Sequence, residues 1–274
     1  MPDQLTLPYI LLLPILGVVV GAIGSTIGLG GGFILVPILL ALFPEASTSQ
    51  ITFTSLTAVF VNACASTINN FYRKRIDFPT AAILMCGAIP AAIGVSLIAQ
   101  MVTRTFFESL FGCLMLAGAI YISRKDLATP HLLSLGSLHP NRYIKERSGV
   151  EHFYSVNNSA AALIGPVAGF VSSFFGIGGG TIHIPAMNFL LGIPLRIAGA
   201  TAMLVLVSTS STALATLFTG YGIVGGYSIA GLLAIGTLCG GQFGIYAAGR
   251  IQPRGILLIL SIAMGIAGLG LIIW

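Results

Sequence analysis

Long apolar runs separated by short polar segments make up most of the chain. Each half begins with one extended run, at 8–43 and at 159–194, and continues with three shorter ones. About 20 apolar residues cross the hydrocarbon core of a bilayer, and a chain in lipid must satisfy its own backbone hydrogen bonds. The pattern therefore predicts an all-α polytopic membrane protein. The shorter runs predict simple transmembrane helices at 51–71, 80–101 and 106–122, and at 199–218, 228–248 and 255–273.

The composition also requires lipid as the surrounding solvent. Hydrophobic residues make up 56% of the chain and charged residues only 7%, against about 25% in soluble domains. A soluble protein of this composition would expose large apolar patches and associate. The net charge of +5 comes from cations in the short polar segments, where they orient a membrane protein, so it does not predict nucleic-acid binding. We expect a multi-pass protein of the cell inner (plasma) membrane, with the lipid bilayer as its partner.

The two halves are copies of one unit. Residues 28–37 read GLGGGFILVP and residues 176–185 read GIGGGTIHIP, so three consecutive glycines and a proline recur at an offset of 148. Farther on, Thr54 aligns with Thr201 at an offset of 147. Such internal similarity indicates duplicated architecture. The predicted organisation is a first transmembrane repeat at 1–123, a polar cytoplasmic linker at 124–157, and a second transmembrane repeat at 158–274.

The extended run of each copy has an unusual length. At 1.5 Å per residue it would reach about 54 Å as one helix, too long for one crossing and too short for two. Glycine has the greatest backbone freedom to lose, so the glycine triplet is where a helix would break. The sequence predicts a broken helical hairpin at each GxGGG motif, entering and leaving the membrane on the same side. Each hairpin and the three helices after it form one repeat.

The distribution of cations distinguishes two arrangements of the copies. If each hairpin returns to its starting side, each copy makes an odd number of crossings and the copies are inverted. With the linker in the cytoplasm, eleven cations then lie inside and only Arg104 lies outside, whereas parallel copies give eight against four. The positive-inside rule favours inverted copies, and the parallel arrangement stays open. The eleven are Arg73, Lys74, Arg75, Arg124, Lys125, Arg142, Lys145, Arg147, Arg196, Arg250 and Arg254.

The two glycine motifs are the candidate substrate site. A half-helix that begins at a break presents free N–H groups and the positive end of its dipole, both of which suit an anion. Inverted repeats with a broken helix in each half recur among transporters, whose substrates bind where the breaks meet. The candidate glycines are Gly28, Gly30, Gly31 and Gly32 in the first copy, and Gly176, Gly178, Gly179 and Gly180 in the second.

Five polar residues complete the candidate site. His183 is the one ionisable residue well inside an apolar run, so it is a candidate for contacting an anion or carrying a coupling proton; a histidine bonded to a neighbouring carbonyl is the alternative. Thr54 and Thr201 occupy equivalent positions in the two copies. Ser55 follows Thr54, and Thr181 follows the glycines of the second motif. Small hydroxylated residues also mediate helix packing in membranes, so packing stays open for these four.

The sequence lacks the motifs of nucleotide binding, catalysis and metal binding. GLGGGF has no preceding strand and no acidic residue at the spacing that a dinucleotide-binding loop requires. No catalytic constellation, metal-ligand cluster or CxxC pair is apparent, so we expect no enzyme activity, metal or cofactor. Cys64, Cys86, Cys113 and Cys239 lie in apolar runs and are interpreted as packing residues.

The doubled Gly-x-Gly-Gly-Gly-x-x-x-x-Pro motif, each copy followed by a threonine-containing helix, resembles the sulfite exporter TauE/SafE family. The resemblance covers nearly the whole chain. It carries over the eight motif glycines, Pro37 and Pro185, and the family's Thr-Ser-Leu stretch at Thr54–Leu56, which reads Thr201–Met203 in the second copy. The resemblance implies a permease that moves sulfite, sulfonates such as sulfoacetate, or related small organic anions.

The predicted function is a secondary transporter or exporter of a small oxyanion that works by alternating access. A passive anion channel and a non-transporting membrane subunit are the alternatives. The expected partner is the small anionic substrate. The transported anion, the direction, the coupling ion and homo-oligomerisation are left open by the sequence.

Overall fold

The computed structural model describes residues 7–98, 102–124, 141–221, 226–247 and 253–273. These residues form ten helices and one two-stranded sheet. The first half contains α1 (Leu7–Ile27), α2 (Gly32–Leu42), α3 (Thr48–Tyr72), α4 (Phe78–Ile98) and α5 (Arg104–Arg124). The strands β1 (Asn141–Lys145) and β2 (Glu151–Ser155) follow. The second half contains α6 (Asn158–Phe175), α7 (Gly180–Phe189), α8 (Leu195–Tyr221), α9 (Tyr227–Ala247) and α10 (Pro253–Ile273).

The predicted all-α membrane fold is confirmed. Six of the described helices, α1, α3, α4, α6, α8 and α9, are long and apolar enough to cross a membrane. Large apolar side chains such as Leu11, Leu163 and Phe243 lie exposed on their outer surfaces, which suits contact with lipid. Each extended run consists of two helices that meet at its glycine motif, as the sequence predicted. We call residues 28–31 the first break and residues 176–179 the second break.

The first helix of each half packs against the fourth helix of the other half. Gly236, Gly240 and Gly244 of α9 lie directly against the backbone of α1 at Pro14, Val18 and Ala22. The paired positions advance together, so α1 and α9 run in the same direction. In the same way, Gly165 and Gly169 of α6 lie against Leu84 and Ala88 of α4. Glycine at these positions lets the helix backbones approach closely, which is how helices associate in lipid.

The remaining contacts fix the other helix directions. Thr237 of α9 donates to the Ala58 carbonyl of α3 at 3.1 Å, and Gly241 lies beside Asn62, so α9 and α3 also run the same way. Ser208 of α8 donates to the Met85 sulfur of α4 at 2.9 Å. By contrast, α5 and α10 run in opposite directions, because Gly112 lies against Gly268 whereas Ser261 donates to the Ala119 carbonyl.

A β-hairpin occupies part of the segment predicted as a polar linker. β1 and β2 pair antiparallel, with Tyr143 opposite Phe153 and Lys145 opposite Glu151. The hairpin docks on the short connection between α3 and α4, where the Arg147 amide donates to the Arg73 carbonyl at 3.0 Å. A hairpin was not predicted, because isolated two-stranded sheets are marginal in water and this one depends on its docking surface.

Two buried carboxylates attach this hairpin. Glu146 accepts from Arg75 at 2.7 Å and lies 2.9 Å from the His152 ring nitrogen. Burial raises the pKa of Glu146, but the hydrogen bonds from His152 and Arg75 outweigh that effect and hold the net pKa below its ordinary value. Tyr154 donates to Asp77 at 2.8 Å, and burial together with the Asp77 charge raises the pKa of the Tyr154 hydroxyl.

The four cysteines are free thiols. The expectation that they pack inside the protein is wrong for Cys86, Cys113 and Cys239, which are exposed on the outer faces of α4, α5 and α9, while Cys64 is half-buried. An exposed apolar position on these helices faces lipid, where a cysteine costs little.

Candidate functional site

Each break is built from glycines in the left-handed region of backbone conformation. The φ angles are +87° at Gly28, +80° at Gly30 and +92° at Gly31. The second break repeats them, with +69° at Gly176, +75° at Gly178 and +68° at Gly179. Other L-residues adopt this region only at a cost of about 1–2 kcal/mol each. The GxGG spacing is therefore what ends α1 and α6 and starts α2 and α7 at Gly32 and Gly180.

Each half-helix begins in direct contact with the opposite break. A Cβ atom on Gly32 would lie 2.6 Å from the Ile177 carbonyl oxygen, and one on Gly180 would lie 2.7 Å from the Leu29 carbonyl oxygen. Both breaks also contact Val59 and Leu206, which lie near the middle of α3 and α8. The structure thus brings together the eight glycines that the sequence selected, halfway along the two central helices.

The contact is tight in this conformation. The N-terminal residue of each half-helix packs against a backbone carbonyl of the opposite break, so no solute fits between Gly32 and Ile177 or between Gly180 and Leu29. A substrate of this site would bind beside the contact, or would require the two breaks to separate.

Hydrogen bonds within the protein satisfy the side chains around the first break. Ser25 donates to the Asn62 side-chain oxygen at 2.7 Å and lies 2.9 Å from the Ser66 hydroxyl. The Asn62 amide donates to the Gly30 carbonyl at 3.1 Å. These three polar residues are buried, at 9% exposure or less, and their bonds hold α1, α3 and the break together.

The second break has a different environment. Four buried polar atoms there have no hydrogen-bond partner: the hydroxyl oxygens of Ser172, Ser173 and Thr181, and Nε2 of His183. The Ser172 hydroxyl and His183 Nδ1 both border Gly179. His183 is fully buried, and its Nδ1 donates to the Gly179 carbonyl at 3.0 Å. With Nδ1 as the donor, Nε2 of a neutral ring is a free acceptor.

The structure also shows the surroundings of three other residues that were predicted to belong to the site. Ser55 donates to the Gly176 carbonyl at 2.7 Å, which ties α3 to the second break. Thr201 accepts from the Asp77 amide at 3.0 Å, at the junction of α8 with α4. Thr54 is fully buried. A substrate contact by these residues stays a prediction.

A narrow cleft lies beside the second break, near the N-terminal end of α3. Its lining residues come from α3, α5, α6 and α8, and sequence reasoning selected none of them. Thr52 in this lining directly contacts Gly176 of the second break. We call this cleft, lined by Thr48, Ser49, Thr52, Phe107, Ser173, Phe174 and Leu217, the hydroxyl cleft.

The charged side chains described in the structure lie at the helix ends and in the β-hairpin. Arg104, at the start of α5, forms an ion pair with Glu108 at 2.7 Å and donates to the Leu40 carbonyl at 3.1 Å and the Ala46 carbonyl at 2.9 Å. Arg104 therefore satisfies carbonyls at the C-terminal end of α2, where a cation is favoured by the helix dipole. Around the breaks, the polar interactions described are made by backbone groups, hydroxyls, the Asn62 amide and one histidine.

A bundle of membrane-length helices in which two broken helices meet at the centre is the plan of a polytopic membrane transporter. The sequence profile of the family described as Sulfite exporter TauE/SafE matches residues 13–271. The chain belongs to this family, and the resemblance noted from the doubled glycine motif is confirmed.

Curated relatives support the same class. The chain is 28% identical to the probable membrane transporter protein YunE of Bacillus subtilis, over 95% of this chain and 96% of the relative. It is 28% identical to the probable membrane transporter protein MJ0441 of Methanocaldococcus jannaschii, over 97% of each chain. The Sulfite exporter TauE/SafE family protein 3 of Arabidopsis thaliana is 28% identical over 47% of this chain and 27% of the relative. No solved structure matches the chain significantly.

Proposed function

We propose that this protein is a secondary transporter of a small oxyanion that works by alternating access, and that it transports rather than catalyses. The single observation that carries the proposal is the meeting of two half-helix N-termini beside buried polar atoms that lack a partner. Partial positive charge at helix N-termini and unpaired hydroxyl groups both favour an oxyanion. Sulfite, a sulfonate or a related organic anion fits this chemistry, and the name of the plant relative supports that class.

The proposal includes inverted repeats. The helices α1, α3 and α9 run in one direction, judged from their paired positions. The short connection Arg73–Asp77 turns the chain back into α4, whose paired positions with α6 and α8 also advance together. Helices that are equivalent in the two halves, such as α3 and α8, would therefore cross the membrane in opposite directions. Inverted repeats of this kind can exchange conformations across the membrane, which is the basis of alternating access.

The proposed orientation has the linker 124–157 in the cytoplasm, in an inner (plasma) membrane, with repeats at 1–123 and 158–274. The cationic hairpin and the α3–α4 connection then lie on the same side, as the positive-inside rule prefers. Arg104 is the exception, and its hydrogen bonds to carbonyls at and just after the C-terminal end of α2 give it a structural reason to be outside.

Transport in proteoliposomes tests the proposal. Radiolabelled sulfite uptake by the wild type should saturate and should run uphill when a proton or electrical gradient is imposed. Gly31→Leu and Gly179→Leu should abolish uptake, because each adds a side chain to a left-handed glycine beside Val20 or beside Ser172 and His183. Gly94→Leu is the matched control, since a Cβ there meets nothing within 4 Å.

The outcomes separate the candidate functions. Flux that never runs uphill would favour a passive channel. Wild-type protein that moves neither sulfite nor sulfoacetate, or break variants that transport normally, would refute the proposed oxyanion transporter.

A further inference from the structure

The two breaks share a sequence motif but differ in how their polar neighbours are satisfied. Ser173 is the repeat equivalent of Ser25, which is bonded to Asn62 and Ser66 at the first break. At the second break, the Ser173 hydroxyl has no partner, and neither does the neighbouring Ser172 hydroxyl. A buried polar atom without a partner destabilises the fold, so a native protein that retains several of them in one place requires an explanation.

The second difference lies on the half-helices themselves. Thr181 and His183 of α7 stand where α2 has Phe33 and Leu35. Phe33 and Leu35 are buried apolar side chains, whereas the Thr181 hydroxyl and His183 Nε2 are unpaired. The buried polar side chains described at the first break are therefore paired within the protein, whereas four side-chain atoms at the second break lack partners.

The hydroxyl cleft lies beside this incomplete break. Ser173 lines the cleft and is also one of the unpaired residues, so the cleft and the break share a residue. Thr48, Ser49 and Thr52 place three hydroxyls along the α3 side. Hydroxyl groups of this kind can replace part of the hydration shell of an anion.

Aromatic rings lie beside the inner end of the cleft. Phe107 of α5 and Phe174 of α6 both line the cleft, with ring centroids 5.7 Å apart. Phe175 packs against both, at 5.3 Å from Phe107 and 4.9 Å from Phe174. Phe107 and Phe174 thus give the cleft an apolar side, supported by Phe175.

We propose that the cargo binds at the second break, reached through the hydroxyl cleft, and that the first break is a rigid support rather than half of a symmetric site. This inference rests on the proposed transport function and deepens it. The hydroxyls of Ser172, Ser173 and Thr181 donate to oxygens of the anion. Because His183 donates through Nδ1 to Gly179, its Nε2 accepts a hydrogen bond, so the matching cargo is an oxyanion that retains one O–H group.

Cysteine labelling tests the route without any cargo. In a background free of the four native cysteines, Ser49→Cys and Ser173→Cys should react with an anionic, membrane-impermeant methanethiosulfonate added outside. Ser25→Cys is the matched control at the repeat-equivalent position and should stay unmodified. Absence of modification at both cleft positions, or equal modification at Ser25→Cys, overturns the route.

Transport and stability measurements test the site. For sulfite uptake at pH 6, Ser172→Ala, Ser173→Ala and Thr181→Val should each raise KM about 10-fold, as expected for loss of one hydrogen bond to an anion. The same changes should leave Tm unchanged or raised, because they remove unpaired buried hydroxyls. Ser25→Ala should lower Tm and change KM less than twofold.

Competition between anions tests the cargo class. Dihydrogenphosphate, which has O–H groups and is the main form of phosphate at this pH, should inhibit sulfite uptake more strongly than sulfate or methanesulfonate, which lack an O–H group. His183→Phe should abolish the difference. If the wild type transports but Ser25→Ala raises KM as much as the second-break variants do, the binding site is symmetric. In that case this inference fails, while the proposed transport function stands. If the wild type moves no anion, the proposed function fails, while labelling still decides whether the cleft is a water-filled route.

Discussion

Replacing Gly32 or Gly180 by alanine tests the contact between the two breaks. Both residues have ordinary helical φ angles, so alanine introduces no backbone strain and the added methyl group acts only through its neighbours. That methyl would lie 2.6 Å from the Ile177 carbonyl oxygen or 2.7 Å from the Leu29 carbonyl oxygen, against at least 3.4 Å in an ordinary contact. The two contacting segments must therefore move apart by about 0.7–0.8 Å, the difference between an ordinary contact distance and the clashing one.

The energy follows from that displacement. Overpacking of this kind costs about 1–3 kcal/mol, and the better helix propensity of alanine returns up to about 1 kcal/mol. Each single variant should lose up to about 2 kcal/mol of stability. One separation of the breaks relieves both clashes, so Gly32→Ala with Gly180→Ala should cost less than the sum of the two single changes.

Thermal unfolding of purified protein in detergent measures these effects. Gly94→Ala is the control, because its methyl group meets nothing within 4 Å and should leave Tm unchanged or higher. Additive losses in the double variant would show that Gly32 and Gly180 do not share one contact. Single variants as stable as Gly94→Ala would refute the close approach of the breaks.

Three further variants address other parts of the molecule. Glu146→Gln should destabilise the protein at neutral pH. Because the folded pKa of Glu146 lies below its ordinary 4.5, the difference in stability should be present above pH 4.5 and should vanish as the pH falls through the folded pKa. Tm measurements of both proteins over a series of pH values check this. Thr201→Val leaves the Asp77 amide without its acceptor and should cost about 1–3 kcal/mol in denaturant unfolding. Arg104→Gln removes the cation from the C-terminal end of α2 and should cost about 1–2 kcal/mol, measured in the same way.

The sequence predicted the backbone of the site well. Glycines at fixed spacing have a strong local consequence, because φ angles such as +92° at Gly31 are costly for other residues. The starts of α2 and α7 could therefore be predicted directly from the two motifs. The prediction that the motifs meet came from the repeat, which relates distant segments without any knowledge of packing.

The side chains were harder to predict, since a hydroxyl in a membrane helix has several possible partners. Ser55 and Thr201 were chosen as candidate substrate contacts, yet each has a partner in the backbone of another helix, at Gly176 and Asp77. Ser172 and Ser173 were not among the selected residues, and no local pattern in the sequence distinguishes them from other serines in apolar runs. Only the folded arrangement distinguishes a bonded hydroxyl from an unpaired one.

The docked β-hairpin was not predicted for a related reason. Its strands are short, and Glu146 becomes buried only when Arg75 from the α3–α4 connection reaches it. The contact joins residues far apart in the chain, and no local pattern in the sequence encodes it. Tyr154 and Asp77 form the second such long-range attachment.

The exchange of partners between halves has a consequence for biosynthesis. The glycine-rich face of α1, which includes Gly17 and Gly21, finds its complementary surface only on α9, and α6 finds its own on α4. A nascent chain must keep that face unmatched in the bilayer until almost the entire polypeptide has been inserted. A half-length ancestor would have needed a second copy of itself to complete the same pairs, and two separately expressed halves should reassemble when they are made in one cell.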